Sequence, residues 1–224
     1  MNRDEVLAGA VGIFGGSFNP LHNGHLRMAI ETREVLNLRR VDLVPAHVPP
    51  HKPELGLLPF ALRLDVIREA VAGVDGLGVS AIEAEVDGPS YSFETMARLR
   101  AATPDTRFAF IMGSTDFLTL RDWHRGLELP LVTDIVVADR SGLDLAAVDR
   151  FMSAHWTWSA EGTAVRRIEG GQRVVFVTIP RLDISASLVR EKFLHGRDVT
   201  ALVPDAVRRR MRIEPDYFHH FWTS

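Results

Sequence analysis

The sequence predicts an α/β fold, a doubly wound parallel sheet with a small C-terminal helical part. Short apolar runs typical of buried strands alternate with segments of helical periodicity, which is the pattern of a parallel sheet covered on both faces. Several of these runs end in glycine, as strands that lead into tight turns do. We therefore expect one domain over residues 1–224, with a sheet core over about 1–183 and a helical part over about 184–224.

The composition predicts an ordinary globular protein and excludes several classes. Hydrophobic residues make up 46% of the chain and charged residues 25%, and the net charge of -3 argues against a dedicated nucleic-acid-binding protein. The absence of cysteine excludes disulfides, thiol catalysis and thiolate metal sites. No signal peptide and no apolar stretch of transmembrane length is evident, so we expect a cytoplasmic protein without a membrane partner. A homo-oligomer remains open.

The first element is the segment Val11 to Leu26, VGIFGGSFNPLHNGHL. Residues 10–14 form an apolar run that ends at Gly15 and Gly16, which predicts a buried strand followed by a tight turn. A helical pattern begins soon afterwards, so backbone N–H groups near residues 23–25 should point out of a helix N-terminus and attract an anion. His22 and His25 would add side-chain donors, and the segment therefore predicts a phosphate site.

This segment also admits other interpretations. The two histidines could be surface residues, or half of a zinc site with His47 and His51. Neither a P-loop nor a dinucleotide-binding glycine motif is present. The nearby asparagines and glycines suit a phosphate better than a metal.

The next elements place further polar residues at the same edge of the sheet. An apolar run over 41–44 predicts a strand, and the loop PAHVPPHK at 45–52 would project His47, His51 and Lys52 from its carboxyl end. Residues 60–72 have a helical pattern with Arg63 and Asp65 towards one end. Residues 77–80 and 82–86 read as extended segments, and Ser92 is the expected N-cap of a helix over about 93–101.

The middle of the chain adds one acidic and one aromatic candidate. The apolar run 107–112 predicts a strand that ends at Gly113, and residues 114–116 would cap a short helix. Asp116 could accept hydrogen bonds from a ribose or could serve only as part of that cap. Trp123 could be a core residue or a stacking surface for a flat ring.

The last elements bring a second helix N-terminus to the sheet edge. Residues 134–138 and 174–179 predict strands, with a helix over 143–154 and a hairpin turn at 170–171 between them; the rest of 155–172 is not assigned. Ser185 should cap the helix after the last strand, with Ser187 and Arg190 beside it. This segment could be only a capped amphipathic helix. A final helix should bury Val207 and Met211 and expose the arginines at 208–210.

Taken together, these residues resemble a known family. The segments GGSFNPLHNGH (15–25) and ISASLVR (184–190) are similar to the paired signature of the H-x-G-H nucleotidyltransferase superfamily, and within it to the bacterial nicotinate-nucleotide adenylyltransferases. The narrower resemblance depends on PPHK (49–52), SYS (90–92), GSTD (113–116), DW (122–123) and GRDVTALVP (196–204). It extends over nearly the whole chain and implies a Rossmann-like sheet.

The resemblance implies that the protein transfers AMP from ATP to nicotinate mononucleotide, giving nicotinate adenine dinucleotide and pyrophosphate in NAD biosynthesis. Its partners would be these small molecules, with Mg²⁺ bridging ATP oxygens and no metal ligand assigned within the chain. The implied site residues fall into three groups: catalytic His22, His25 and Arg190; ATP-binding Gly15, Gly16, Ser17, Phe18, Gly113, Asp116, Ile184, Ser185 and Ser187; and substrate-binding Asn19, Lys52, Ser92 and Trp123.

Some positions depart from the family pattern. Asn19 stands where the family often has aspartate, Ser17 and Ser187 where it often has threonine, and Ala186 where a second serine is usual. The Arg-Pro-Gly turn of the family is represented by residues 140–142, Arg-Ser-Gly.

The sequence favours this function over three alternatives. A pantetheine-phosphate or cytidylyl-type transferase of the same superfamily would share the phosphate motifs but has little reason to carry SYS and DW together. A truncated class I aminoacyl-tRNA synthetase would need a lysine-rich second motif and a basic RNA-binding face, which this chain lacks. A non-catalytic nucleotide-binding domain has little need for the intact His22, His25 and Arg190.

Overall fold

The computed structural model describes residues 3–50, 56–85, 87–140, 142 and 144–223, and its centre is one eight-stranded sheet. The strand order is β3-β2-β1-β4-β5-β8-β7-β6. The first five neighbouring pairs in this order are parallel, and the β8–β7 and β7–β6 pairs are antiparallel. The strands are β1 (Val11–Gly16), β2 (Arg40–Pro45), β3 (Leu77–Val79), β4 (Phe108–Gly113), β5 (Asp134–Asp139), β6 (Trp158–Ala160), β7 (Val165–Ile168) and β8 (Arg173–Thr178).

The chain order reverses between β1 and β4, and this reversal places the site. From β1 the chain adds β2 and β3 on one side, and it then returns to place β4 and β5 on the other. A crevice forms where the connections leave neighbouring strands in opposite directions, outside the carboxyl ends of the strands. Here those ends are Gly16 of β1 and Gly113 of β4.

Helices cover both faces of the sheet, as the α/β prediction requires. The described helices are α1 (Arg3–Val6), α2 (Asn23–Val35), α3 (Phe60–Val71), α4 (Ser92–Ala102), α5 (Ser114–Leu118), α6 (Leu129–Val132), α7 (Leu145–His155), α8 (Ala186–Leu194), α9 (Asp205–Ile213) and α10 (Pro215–Thr223). No helix in this described part of the chain is long and apolar enough to span a membrane.

Two apolar clusters, one on each side of the sheet, form the core. Successive strand residues alternate between them: Phe14 belongs to the first cluster and Ile13 to the second. Residues of α2, α3, α8, α9 and α10 join the first cluster, and residues of α4 to α7 join the second. The helices after residue 184 thus share a core with α2 and α3. The prediction of one domain over 1–224, divided near residue 183, stays a prediction.

Most predicted elements are confirmed, and the differences are local. Residues 82–85 form a 3-10 helix rather than the predicted extended segment. The helix predicted from about residue 93 begins at Ser92 with Tyr91 as N-cap, and the helix after β4 has Gly113 as N-cap. The hairpin turn at 170–171 is confirmed between β7 and β8, and the previously unassigned residues before it contribute β6 and β7.

Candidate active site

The two predicted phosphate motifs meet at the switch point. The first lies in the turn from β1 to α2, and the second at the start of α8. The guanidinium of Arg190 links them, because its Nη1 donates to the backbone oxygen of Asn19 at 2.7 Å and its Nη2 donates to Oγ of Ser187 at 3.1 Å. Burial lowers the pKa of Arg190 from its usual value. Two helix N-termini therefore reach one site, although 171 positions separate Asn19 from Arg190.

Gly24 packs closely against His22 and lies near the second motif. A Cβ atom at this position would lie 3.0 Å from Nδ1 of His22 and 3.5 Å from the backbone oxygen of Ile184. A side chain would therefore press on the His22 ring, whereas its contact with Ile184 would be an ordinary one. The glycine between the two histidines thus favours the observed position of the His22 ring.

His22 and His25 form a stacked pair at the start of α2. Their ring centroids are 3.6 Å apart at an interplanar angle of 22°. The backbone N–H of His22 donates to Nδ1 of His25 at 3.2 Å, which orients the second ring. His22 is 4% exposed, and its Nδ1 atom is buried without a hydrogen-bond partner among the described residues.

The environment of His22 keeps its ring neutral. Burial, followed by the positive charge of Arg140, lowers the pKa of His22 to about 4. A neutral imidazole has one N–H donor and one acceptor nitrogen. A phosphate placed beside it would favour the protonated form, because an opposite charge stabilises the imidazolium.

The backbone before α2 is shaped for close approach to a ligand. Phe18 has a φ of +45°, in the left-handed region that residues with a side chain rarely adopt. Its ring is buried and packs edge-on against Phe14 and His25. Only the backbone of Phe18 is therefore available to a ligand. A Cβ at Gly16 would lie 3.1 Å from that ring, so Phe18 fills the space that a side chain there would need.

The second motif follows its predicted local structure. Ser185 is the N-cap of α8, and its Oγ accepts a hydrogen bond from the backbone N–H of Leu188 at 3.1 Å. Ser185 and Ser187 are exposed at the helix start, while Ile184 packs against the first apolar cluster. The predicted cap is therefore confirmed, and the exposed helix end remains accessible to an anion.

At the end of β4, Asp116 lies on the exposed side of the turn. A Cβ at Gly113 would lie 3.5 Å from its Oδ2 atom, an ordinary contact, so the carboxylate is close to the end of β4. The hydroxyl of Ser114 does not cap α5 as expected. It donates to Oδ1 of Asp139 at 2.7 Å and so links the ends of β4 and β5.

A pocket opens between β1, β2 and the start of α4. Its space is about 730 Å³ including the solvent opening. Ser92 and Trp123 line it, as do Gly15, Gly16 and Ser17. Trp123 is half-buried and meets Phe110 edge-on at 6.5 Å, so its indole packs on the core and also forms part of the pocket wall.

Asn19 has a structural environment that its position in the motif did not reveal. Its side chain is inside the protein, and the residue is 5% exposed. Its Nδ2 donates to the backbone oxygen of Gly56 at 2.6 Å, and its Oδ1 accepts from the N–H of Leu58 and from Nε1 of Trp222, each at 3.2 Å. These contacts explain why an amide rather than a carboxylate suits this position, because the amide can both donate and accept.

Two of the loop residues at 45–52 lie outside the described residues, namely Lys52 and His51. The described part of this loop is fixed by Ser90, whose Oγ accepts from the N–H groups of His47 and Val48 at 2.8 and 3.2 Å. Within the described residues, no group of three or more His, Asp or Glu side chains is placed to hold a metal ion.

Sequence reasoning missed several residues around the pocket. Arg63, expected towards a helix end, is buried, and it donates to four backbone carbonyls. Tyr91 and His124 stack at 4.1 Å on the pocket wall. Glu83 is buried beside the pocket and accepts from the hydroxyl of Thr95. Tyr91 lies within the SYS segment, but no sequence pattern marked its stacking on His124 or the burial of Arg63 and Glu83, since these depend on contacts between different elements.

Comparison with known proteins identifies one family for this chain. The model of the Cytidylyltransferase-like family matches residues 13–192, from β1 into α8. A relative from Maridesulfovibrio salexigens is 35% identical over 213 residues, which cover 95% of this chain and 99% of the relative. A relative from Geotalea uraniireducens is 37% identical over 210 residues, covering 92% and 97%. Both are named probable nicotinate-nucleotide adenylyltransferase.

Solved structures show the same fold. Nicotinic acid mononucleotide adenylyltransferase from Plasmodium falciparum, complexed with NaAD, matches with a TM-score of 0.71 at 15% identity, covering 92% of this chain and 96% of that chain. The same enzyme complexed with APC matches with a TM-score of 0.70 at 14% identity. The Rossmann-like architecture is therefore confirmed.

Proposed function

The chain belongs to the cytidylyltransferase-like family and, within it, to the nicotinate-nucleotide adenylyltransferases, and from this premise we propose how it works. It transfers AMP from ATP to the phosphate of nicotinate mononucleotide and releases pyrophosphate. The observation that carries this proposal is the link made by Arg190, which brings both phosphate motifs to one site.

The chemistry requires positioning more than proton transfer. A phosphate oxygen of the acceptor forms a bond to the α-phosphorus of ATP, and the bond from that phosphorus to pyrophosphate breaks. The attacking oxygen is already anionic near neutral pH, so no strong general base is needed. Catalysis then depends on holding the two substrates in line and on stabilising the charge that develops on the phosphate oxygens.

The described residues are suited to these tasks. His22 and His25, at the start of α2, would hold the α-phosphate, while Arg190 would hold the leaving pyrophosphate together with the hydroxyls of Ser185 and Ser187. His22 begins neutral because it is buried. Its N–H can therefore bind a phosphate oxygen without the cost of a buried positive charge before ATP arrives.

The remaining predicted residues divide between the two substrates. Gly113 and Asp116 would bind the ribose of ATP at the end of β4. Ser92 and Trp123 would bind the nicotinate ring, which fits their place on the pocket wall. Lys52 would bind phosphate from its loop. The amide of Asn19 makes three hydrogen bonds inside the protein, so we assign it the role of shaping the motif rather than contacting the substrate through its side chain.

We propose that ATP brings Mg²⁺ with it, because triphosphate oxygens are the hard ligands that this ion prefers. The ion would supply neutralisation of charge on the phosphates. A cytoplasmic location stays a prediction, as does the absence of nucleic-acid and membrane partners.

A direct assay tests the function. The purified protein is mixed with ATP, Mg²⁺ and nicotinate mononucleotide, and both pyrophosphate and dinucleotide are measured. Parallel reactions replace the acceptor by a pantetheine phosphate, or ATP by CTP, and one contains EDTA. We expect product only with ATP and the mononucleotide, and its loss with EDTA. Product from a pantetheine phosphate or from CTP would move the protein to another branch of the family, and no product from any pair would support a non-catalytic role.

A further inference from the structure

Arg63, in the first turn of α3, is among the most buried charged residues of the protein. It is 2% exposed. Its Nε donates to the backbone oxygen of Leu58, its Nη1 donates to those of Ser17 and Ala46, each at 2.8 Å, and its Nη2 donates to that of His47 at 3.3 Å. Burial lowers its pKa to about 10, so it is still charged near pH 7.

The hydrogen bonds of Arg63 differ from those of an ordinary buried ion pair. None of the ion pairs found among the described residues includes it. Its four backbone carbonyls, together with the face of the Phe60 ring 5.6 Å from Cζ of Arg63, offset the removal of its charge from water. A buried charge is tolerated only when such partners satisfy it. The four carbonyls come from three separate stretches of chain, and the planar guanidinium can reach them together because its donors point in several directions at once.

These stretches form two walls of the pocket. Ser17 belongs to the phosphate turn after β1, and Ala46 begins the loop after β2; both line the pocket. The backbone N–H of Ala46 also donates to the oxygen of Gly16 at 2.9 Å. On its other side this loop is held by Ser90, through the N–H groups of His47 and Val48. Arg63 lies behind both walls and contacts each of them.

We infer that Arg63 is a positioning residue that fixes the phosphate turn and the 46–48 loop relative to each other, and so sets the separation at which ATP and the acceptor meet. This inference rests on the proposed function. Because the rate of such a transfer depends on reactant geometry, a small displacement of one wall lowers kcat and weakens binding of the acceptor.

The test compares two buried arginines. Arg63→Lys keeps the positive charge but cannot reach carbonyls on three sides. Arg166→Lys is the matched control, because Arg166 is also buried, at 6% exposure, and also donates to backbone carbonyls, on β7 and far from the pocket. Arg166 differs in pairing with Asp149. Melting temperature, kcat and both KM values are measured for each variant.

We expect Arg63→Lys to raise the KM for the mononucleotide and to lower kcat, each about tenfold or more, with a smaller change in the KM for ATP. Arg166→Lys should lower the melting temperature while leaving the kinetic constants within about twofold at 25 °C. Unchanged kinetic constants in Arg63→Lys would overturn the inference. Equal kinetic losses in both variants would also overturn it, since they would reflect stability alone.

Two further measurements keep the test decisive. Hydrogen exchange should become faster at residues 46–48 in Arg63→Lys while β4 stays protected, a result that does not depend on activity. If wild-type protein transfers no AMP, the proposed function fails, and exchange still tests whether Arg63 holds the loop; unchanged exchange there would refute that role. If Arg63→Lys does not fold, the same measurements are made on Arg63→Gln.

Ser90→Ala tests the same loop from its other side, because it removes the hydroxyl that holds the N–H groups of His47 and Val48. An unchanged KM for the mononucleotide in Ser90→Ala would also refute the inference.

Discussion

Replacing Asn19 by aspartate offers a sharp test of how the first motif is built. The amide is buried and makes one hydrogen bond as donor and two as acceptor. In Asn19→Asp an ionised carboxylate could still accept from Leu58 and Trp222. It could not donate to the oxygen of Gly56, which in the native protein lies 2.6 Å from Nδ2. Two oxygen atoms without a proton between them would then face each other.

The expected loss follows from this contact. Leaving a buried carbonyl unsatisfied costs about 1–3 kcal/mol, and burial of the new carboxylate adds to that cost. Charge-assisted bonds from Leu58 and Trp222, and the nearby cation of Arg190, offset part of it. We expect the free energy of unfolding at pH 7 to fall by about 2 kcal/mol.

The loss should depend on pH in a defined direction. Burial raises the pKa of the new carboxyl in the folded state above its unfolded value of about 3.9. The unfolded chain therefore releases its proton first as pH rises, and the variant becomes less stable, relative to wild type, between pH 4 and the folded-state pKa. Below pH 4 the protonated acid can donate to Gly56, so the difference from wild type should shrink.

Urea denaturation at pH 7 and pH 5 measures both effects. Asn23→Asp is the matched control, since Nδ2 of Asn23 also donates to a backbone carbonyl, that of Ala201 at 2.7 Å, but in a solvent-exposed contact. We expect the control to lose less than about 0.5 kcal/mol. Equal losses at the two positions, or a loss at Asn19 that does not change with pH, would refute this account of the motif.

Four further predictions concern the site. His25→Ala should lower kcat about a hundredfold with a smaller change in the KM for ATP, because one transition-state donor is lost; a folded variant with near-normal kcat would exclude His25 from the chemistry. Arg190→Lys should lose most activity, since a single ammonium cannot reproduce the bidentate grip; full activity would make the start of α8 a structural cap only. Because the pKa of His22 falls from 6.5 unfolded to about 4 folded, protein stability should drop as pH falls through this window by at most about 1.4 kcal/mol per unit, and His22→Gln should flatten that slope in urea denaturation. The kcat/KM for nicotinate mononucleotide should be tens- to thousands-fold higher than that for nicotinamide mononucleotide, because hydrogen-bond donors that face a carboxylate would oppose the NH₂ group of the amide. Equal values would change the assigned substrate but not the adenylyl transfer.

Local sequence signals were sufficient to predict the parallel strands of the sheet and the local structure of both motifs. The strands β1 and β4 are short apolar runs that end in glycine, and Ser185 is a helix cap that can be recognised without tertiary information. The prediction of an extended segment over residues 82–86 was wrong. Their alternating apolar and acidic pattern is typical of a strand. In the structure Glu83 points inside and bonds Thr95, and a 3-10 helix replaces the strand.

The buried polar residues could not be predicted in the same way. A charged residue in a helical pattern is usually assigned to the solvent side. Arg63 was predicted only to lie towards one end of its helix, and its burial could not be predicted because it depends on carbonyls from other parts of the chain. Asn19 was recognised as part of a motif, but its contact with Trp222 joins residues 203 positions apart. Such contacts exist only after the sheet has formed, so no local pattern can reveal them.

The distance along the chain between the two motifs also bears on synthesis at the ribosome. The first motif emerges early, but β1 pairs with β4 through Val11 and Phe108, so its second edge finds a partner only after half the chain has been made. The hydrogen bond from Arg190 to the backbone oxygen of Asn19 can form only after most of the remaining chain has been made. Because long-range contacts of this kind form slowly, the nascent protein exposes one unpaired edge of β1 until β4 has been made, and the proposed nucleotide site is complete only after translation has passed α8.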